Sequence, residues 1–97
     1  MRNNIPNRVY NELAMLARRY GIDEIYLFGS RATGTNSPRS DIDIAVRGGD
    51  FEAFYVATME EIHSLLMFDI VDLEKAISSD LKAEIAKDGV KIYEKAG

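Results

Sequence analysis

The sequence predicts an α/β (α+β) fold, with helices packed on a small mixed β-sheet, and three observations carry that prediction. Apolar residues recur at helical spacing in two long segments, 6–20 and 51–66. Short apolar runs bounded by glycine or polar turns fall between and after them. The link between the first two runs is about a dozen residues with no full helix, which permits antiparallel pairing and so a mixed sheet.

The first element is a helix. Pro6 suits a first turn, where its missing N–H costs nothing. Val9, Leu13, Leu16, Ala17 and Tyr20 make one apolar stripe, and Gly21 is a natural stop. Residues 22–28, with the run Ile25-Tyr26-Leu27-Phe28, read as a buried strand closed by Gly29. Residues 29–40 are rich in Gly, Ser, Thr, Asn and Pro and form a loop with room for one helical turn. Residues 41–46 read as a second strand, with Ile42, Ile44 and Val46 on one face and Asp41, Asp43 and Ala45 on the other. Gly48-Gly49 then breaks the chain, and Asp50 offers an N-cap. Phe51, Phe54, Tyr55, Thr58, Ile62, Leu65 and Leu66 fit a second long helix. Residues 68–73 are a third strand. Ser78 or Ser79 can cap a helix over 80–88, Gly89 ends it, and 90–93 is a short last strand at an edge.

The 97 residues suffice for one small domain, taken as 1–97. A 46% hydrophobic composition argues against disorder. The net charge of −4 disfavours non-specific nucleic-acid binding, which relies on Lys and Arg against phosphates. Without cysteine there is no disulfide framework and no thiolate metal site. No apolar stretch approaches the roughly 20 residues that span a bilayer. The first residues lack the apolar core of a signal peptide, so a cytoplasmic protein is the expectation.

The chemistry concentrates at Asp41 and Asp43. Residues i and i+2 of a strand project from one face, so two carboxylates stand side by side and repel. That spacing is poor for a stable sheet but suits Mg²⁺, which binds through one or two carboxylates plus substrate phosphates. An isolated Asp-x-Asp is more often a solvated strand end. The preceding loop changes the balance. Gly29-Ser30 follows a buried strand directly; glycine lets the backbone approach a ligand, and consecutive loop N–H groups can cradle a phosphate. Antiparallel pairing of the two strands would bring Gly29-Ser30 to the carboxylates. The loop lacks a Gly-Lys-Ser/Thr ending and is not Gly-x-Gly-x-x-Gly.

Gly29-Ser30-Arg31-Ala32-Thr33-Gly34 followed by Ser40-Asp41-Ile42-Asp43-Ile44-Ala45-Val46 resembles the signature of the DNA polymerase β-like nucleotidyltransferase superfamily. The nearer resemblance is to its minimal nucleotidyltransferase branch, whose small members act as antitoxins beside HEPN-domain toxins. That branch has a third catalytic aspartate in a later strand. Phe68-Asp69-Ile70-Val71-Asp72-Leu73 matches its context, with the family position on Asp69. Asp69 and Asp72 point to opposite faces of a strand apolar on both, so periodicity leaves the choice open.

The resemblance implies transfer of AMP from ATP to a hydroxyl, a tyrosine of the toxin, with two Mg²⁺ ions held by Asp41, Asp43 and Asp69. It implies that Gly29 and Ser30 hold the donor phosphates. Little follows β-strand four, so an acceptor-binding element is expected on the partner. Neutralisation by binding alone, or transfer to a small molecule or RNA, are the rival readings. Arg31 and Arg39 flank the loop and could meet a triphosphate, or be solvated loop charges. Lys82, Lys87, Lys91 and Lys95 read as a solvated face, His63 as a packed or surface residue, and Tyr20, Tyr26 and Phe28 as core.

Overall fold

The computed structural model describes residues 4–62 and 66–96. Among them eight elements follow in order: α1 (Asn7–Arg19), β1 (Glu24–Phe28), α2 (Ser30–Thr33), β2 (Ile42–Arg47), α3 (Phe51–Glu61), β3 (Phe68–Asp72), α4 (Ser79–Asp88) and β4 (Val90–Glu94). The strands form one sheet in the order β3-β2-β1-β4. β1 is antiparallel to β2 and to β4, while β3 is parallel to β2. The sheet is therefore mixed, and β4 lies at an edge.

The two sheet faces differ. Ile25 and Leu27 of β1 stand opposite Val46 and Ile44 of β2. With Ile42 they form the core, packed against Val9, Leu13, Leu16 and Ala17 of α1 and Phe54 and Ala57 of α3. This is the apolar stripe of α1 meeting the alternate residues of two strands. Arg19 of α1 also donates to Glu61 of α3 at 3.2 Å. The other face carries Tyr26 and Phe28 of β1 and Asp43 and Ala45 of β2. Phe28 and Ala45 are buried there, on the side away from the main core. α4 covers part of this second face and buries no residue completely.

Two expectations need correction. The second long helix does not run to Leu66: α3 ends at Glu61, and Ile62 is extended (φ −86°, ψ 107°). Ile62 is buried all the same, and Leu66 packs partly on the core. Apolar spacing reported burial at Phe54, Thr58 and Ile62 but not at Tyr55, which is exposed, and it could not tell the extended Ile62 from another helical residue. Pro6 sits just before α1 rather than in its first turn, with its carbonyl accepting from Tyr10 N at 3.0 Å. Leu65 and His63 lie outside the described residues.

Turn chemistry sets the remaining boundaries. The Asp50 carboxylate accepts from Ala53 N at 3.2 Å and starts α3. Ser78 Oγ accepts from Leu81 N at 3.1 Å and starts α4. Gly49, at φ +73°, lies against the Gly21 carbonyl: a Cβ there would come within 2.6 Å of its oxygen. That contact closes the β2–α3 turn onto the end of α1.

Candidate functional site

The site grows from the β1–β2 pairing. Phe28, the last residue of β1, stands opposite Asp43. The chain then turns at Gly29, with φ +73° and ψ −156°, a conformation that only glycine adopts without strain. The turn lies directly on Asp43, since a Cβ added to Gly29 would be 2.3 Å from Asp43 Oδ2. Glycine is therefore required twice, for the backbone angle and for the carboxylate's space. The Gly29 carbonyl accepts from Ala32 N and Thr33 N at 3.1 and 3.2 Å, so α2 starts at once. Ser30 is its first residue and is half-buried.

The β2–β3 register decides between Asp69 and Asp72. Asp69 is the direct partner of Asp43 in this parallel pair and shares its face. Asp72 is the partner of Val46, on the opposite face, and its carboxylate accepts from Glu74 N at 2.9 Å. Asp41 lies exposed, just ahead of β2.

Asp43 is half-buried, and its carboxyl is pushed up to about 6. Burial is the largest cause, followed by the negative charges of Asp69, Asp41 and Glu84; the Arg31 guanidinium opposes them. Glu84 is a fourth carboxylate, brought by α4, that sequence reasoning missed. Only the passage of α4 over this face reveals it, and no local spacing announces that.

Arg31 is not a solvated loop charge. Its side chain is buried, at 5% exposure. Nε donates to the Ser40 carbonyl at 3.0 Å, Nη2 to the Pro38 carbonyl at 3.1 Å, and Nη1 to the Asn4 carbonyl. Its acceptors are main-chain oxygens, which carry no residue signature, so the sequence could not disclose them. Arg39, by contrast, is exposed.

The donor set can be tested against a metal ion. Among the described residues, no three Asp, Glu, His or Cys side chains stand close enough to hold a metal by themselves. Asp43 and Asp69 together supply hard oxygen donors, and the ion pairs among the described residues include neither. This fits Mg²⁺, which takes one or two carboxylates and completes its shell with substrate phosphate and water. It does not fit a metal caged wholly by protein. A cavity of about 620 Å³ between α4 and the sheet, lined by Tyr26, Arg47, Leu73, Ile77, Lys82 and Ile85 among others, lies toward the other end of the strands and includes none of these carboxylates.

Comparison with known proteins agrees with this fold. The family model for polymerase beta nucleotidyltransferases matches residues 11–96. No curated protein matches the chain significantly. Among solved structures, a toxin–antitoxin crystallised with AMP-PNP is 30% identical, with a TM-score of 0.65, covering 89% of this chain and 73% of the other. A variant of the toxin–antitoxin MntA–HpeT is also 30% identical, with a TM-score of 0.64, covering 94% of this chain and 75% of the other. A structure from Shewanella oneidensis shares the fold at 20% identity, with a TM-score of 0.59, covering 94% of this chain and 74% of the other. With a family match over residues 11–96, the chain belongs to the polymerase beta nucleotidyltransferase family.

Proposed function

We propose that this protein transfers AMP from ATP to a tyrosine hydroxyl of a HEPN-type toxin partner and so acts as its antitoxin. The observation that carries this reading is the contact between Gly29 and Asp43, which joins a phosphate-cradling turn to a carboxylate pair. The likeness to toxin–antitoxin structures, one of them with AMP-PNP, supports the nucleotide and the class of partner.

In this reading Gly29 and Ser30 hold the donor phosphates, with main-chain N–H groups and the Ser30 hydroxyl directed at them. Asp43 and Asp69, with Asp41 at the mouth, would hold Mg²⁺. Bound there, the ion would neutralise the triphosphate and polarise the transferring phosphorus. Asp69, on the same face as Asp43, would accept the proton of the attacking hydroxyl. The hydroxyl oxygen bonds to the α-phosphorus, the bond to pyrophosphate breaks, and AMP remains on the acceptor. The chain's main contribution is positioning, which alone can lower such barriers by roughly 7–11 kcal/mol. The reading is tested by incubating the folded chain with its cognate neighbour and α-labelled ATP. AMP should add to the partner by intact-mass analysis; unmodified partner would end it.

A second reading is neutralisation by binding, with little turnover; the likeness to toxin–antitoxin structures supports a toxin partner under either reading.

A further inference from the structure

We infer that Arg31 is a positioning residue, a buried guanidinium clamp that fixes the spacing between the Gly29-Ser30 turn and the start of the Asp41–Asp43 strand. The inference rests on the nucleotide reading above. It begins from a buried charge, which is costly unless its donors are satisfied. Arg31 is 5% exposed, and no ion pair among the described residues includes it.

Its partners are three carbonyls from two separate segments. Ser40 and Pro38 lie in the last residues before Asp41, and Asn4 lies ahead of α1. The Asn4 side chain answers by donating to the Arg31 carbonyl at 3.1 Å. The residue following Ser30 is thereby tied to the residue preceding Asp41. The loop's other hydrogen bonds are local, within residues 29–35 or within 36–40, so none of them ties its two ends together. A planar fork can reach carbonyls lying in different directions, whereas an ammonium is a point charge. Because carbonyls rather than a carboxylate satisfy it, its positive charge stays available to the site, and it acts on Asp43 in the stabilising sense.

The test uses the full chain with Arg31→Lys, Asn4→Ala and Asp43→Asn. Amide hydrogen exchange over residues 29–41 is measured without ligand, and the Kd for Mg²⁺–AMP-PNP by calorimetry at a temperature where each variant is folded. Arg31→Lys should speed exchange at both ends of the loop, leave β1–β2 core amides unchanged, and raise the Kd by about tenfold or more, since small misplacements of paired groups are amplified in affinity and rate. A merely structural arginine would lower the melting temperature and leave the Kd of the folded protein where it was. Unchanged loop exchange and a Kd within about twofold of wild type would overturn the inference. Should Arg31→Lys fail to fold, Asn4→Ala decides, with faster exchange at 29–31 and 38–40 expected and no change excluding the clamp. Asp43→Asn separates the two proposals. If it binds AMP-PNP as wild type does, the nucleotide reading fails, and the exchange data alone judge the clamp.

Discussion

Asp43 is held against the preference of the fold. Its carboxyl is raised from 3.8 to about 6, so the folded chain keeps a proton that the unfolded chain has released. Between about pH 4 and 6 the folded state therefore binds more protons, and stability from this group falls as pH rises through that window. The shift corresponds to roughly 3 kcal/mol at most, and about 1–2 kcal/mol after allowance for the solvent that reaches a half-buried group. Asp43→Asn should match wild type near pH 4 and exceed it at pH 7 by that amount, some 4–12 °C in Tm. Mg²⁺ with ATP should reverse the order, since a ligand that binds only the folded state stabilises it and the variant lacks the ligating charge. Thermal melts at pH 4 and 7, with and without Mg²⁺–ATP, check both arms. Equal melting at pH 7 and equal ligand shifts would remove Asp43 from the site.

At the scale of elements, local signals were legible and non-local ones were not. The alternating strand Ile42-Asp43-Ile44-Ala45-Val46, the stripe of α1 and the caps at Asp50 and Ser78 are each written within a few residues, and each appears where the pattern puts it. Asp69 could be separated from Asp72 only by register against β2, and a register joins segments some 26 residues apart. Arg31 stayed unread because its partners are main-chain oxygens brought together by the fold. The two caps differ in what they support. α3 packs Phe54 and Ala57 into the core, whereas α4 buries no residue. Asp50→Ala should cost about 1 kcal/mol of global stability, read as a lower Tm. Ser78→Ala removes a similar local contribution, but it should appear mainly as faster amide exchange within α4. A Tm drop from Ser78→Ala as large as that from Asp50→Ala would mean that α4 unfolds with the core.

At the scale of the molecule, the register sets Asp43 and Asp69 on one face beside the Gly29 turn, and the proposed function puts the acceptor hydroxyl on a partner. The carboxylate face is only partly covered, by α4. A partner seated there could be modified, or merely held. Asp41→Asn with Asp43→Asn separates the two outcomes, because amides keep the size of the side chains while removing the charge that holds a metal. Relief of carboxylate repulsion should leave the double variant at least as stable as wild type, so a loss of effect cannot come from unfolding. If neutralisation runs through AMP transfer, the variant should still capture the toxin in a pull-down, leave it unmodified by mass, and fail to protect growth when the two are co-expressed. If protection persists with an unmodified toxin, the carboxylates serve no purpose in neutralisation and the surface alone does the work. Catalytic transfer can protect against a molar excess of toxin, because one antitoxin treats many copies, whereas binding protects only up to equal amounts. Titrating toxin expression against a fixed level of wild-type chain therefore reads the mechanism a second time, and protection that persists beyond equimolar toxin is the expected result.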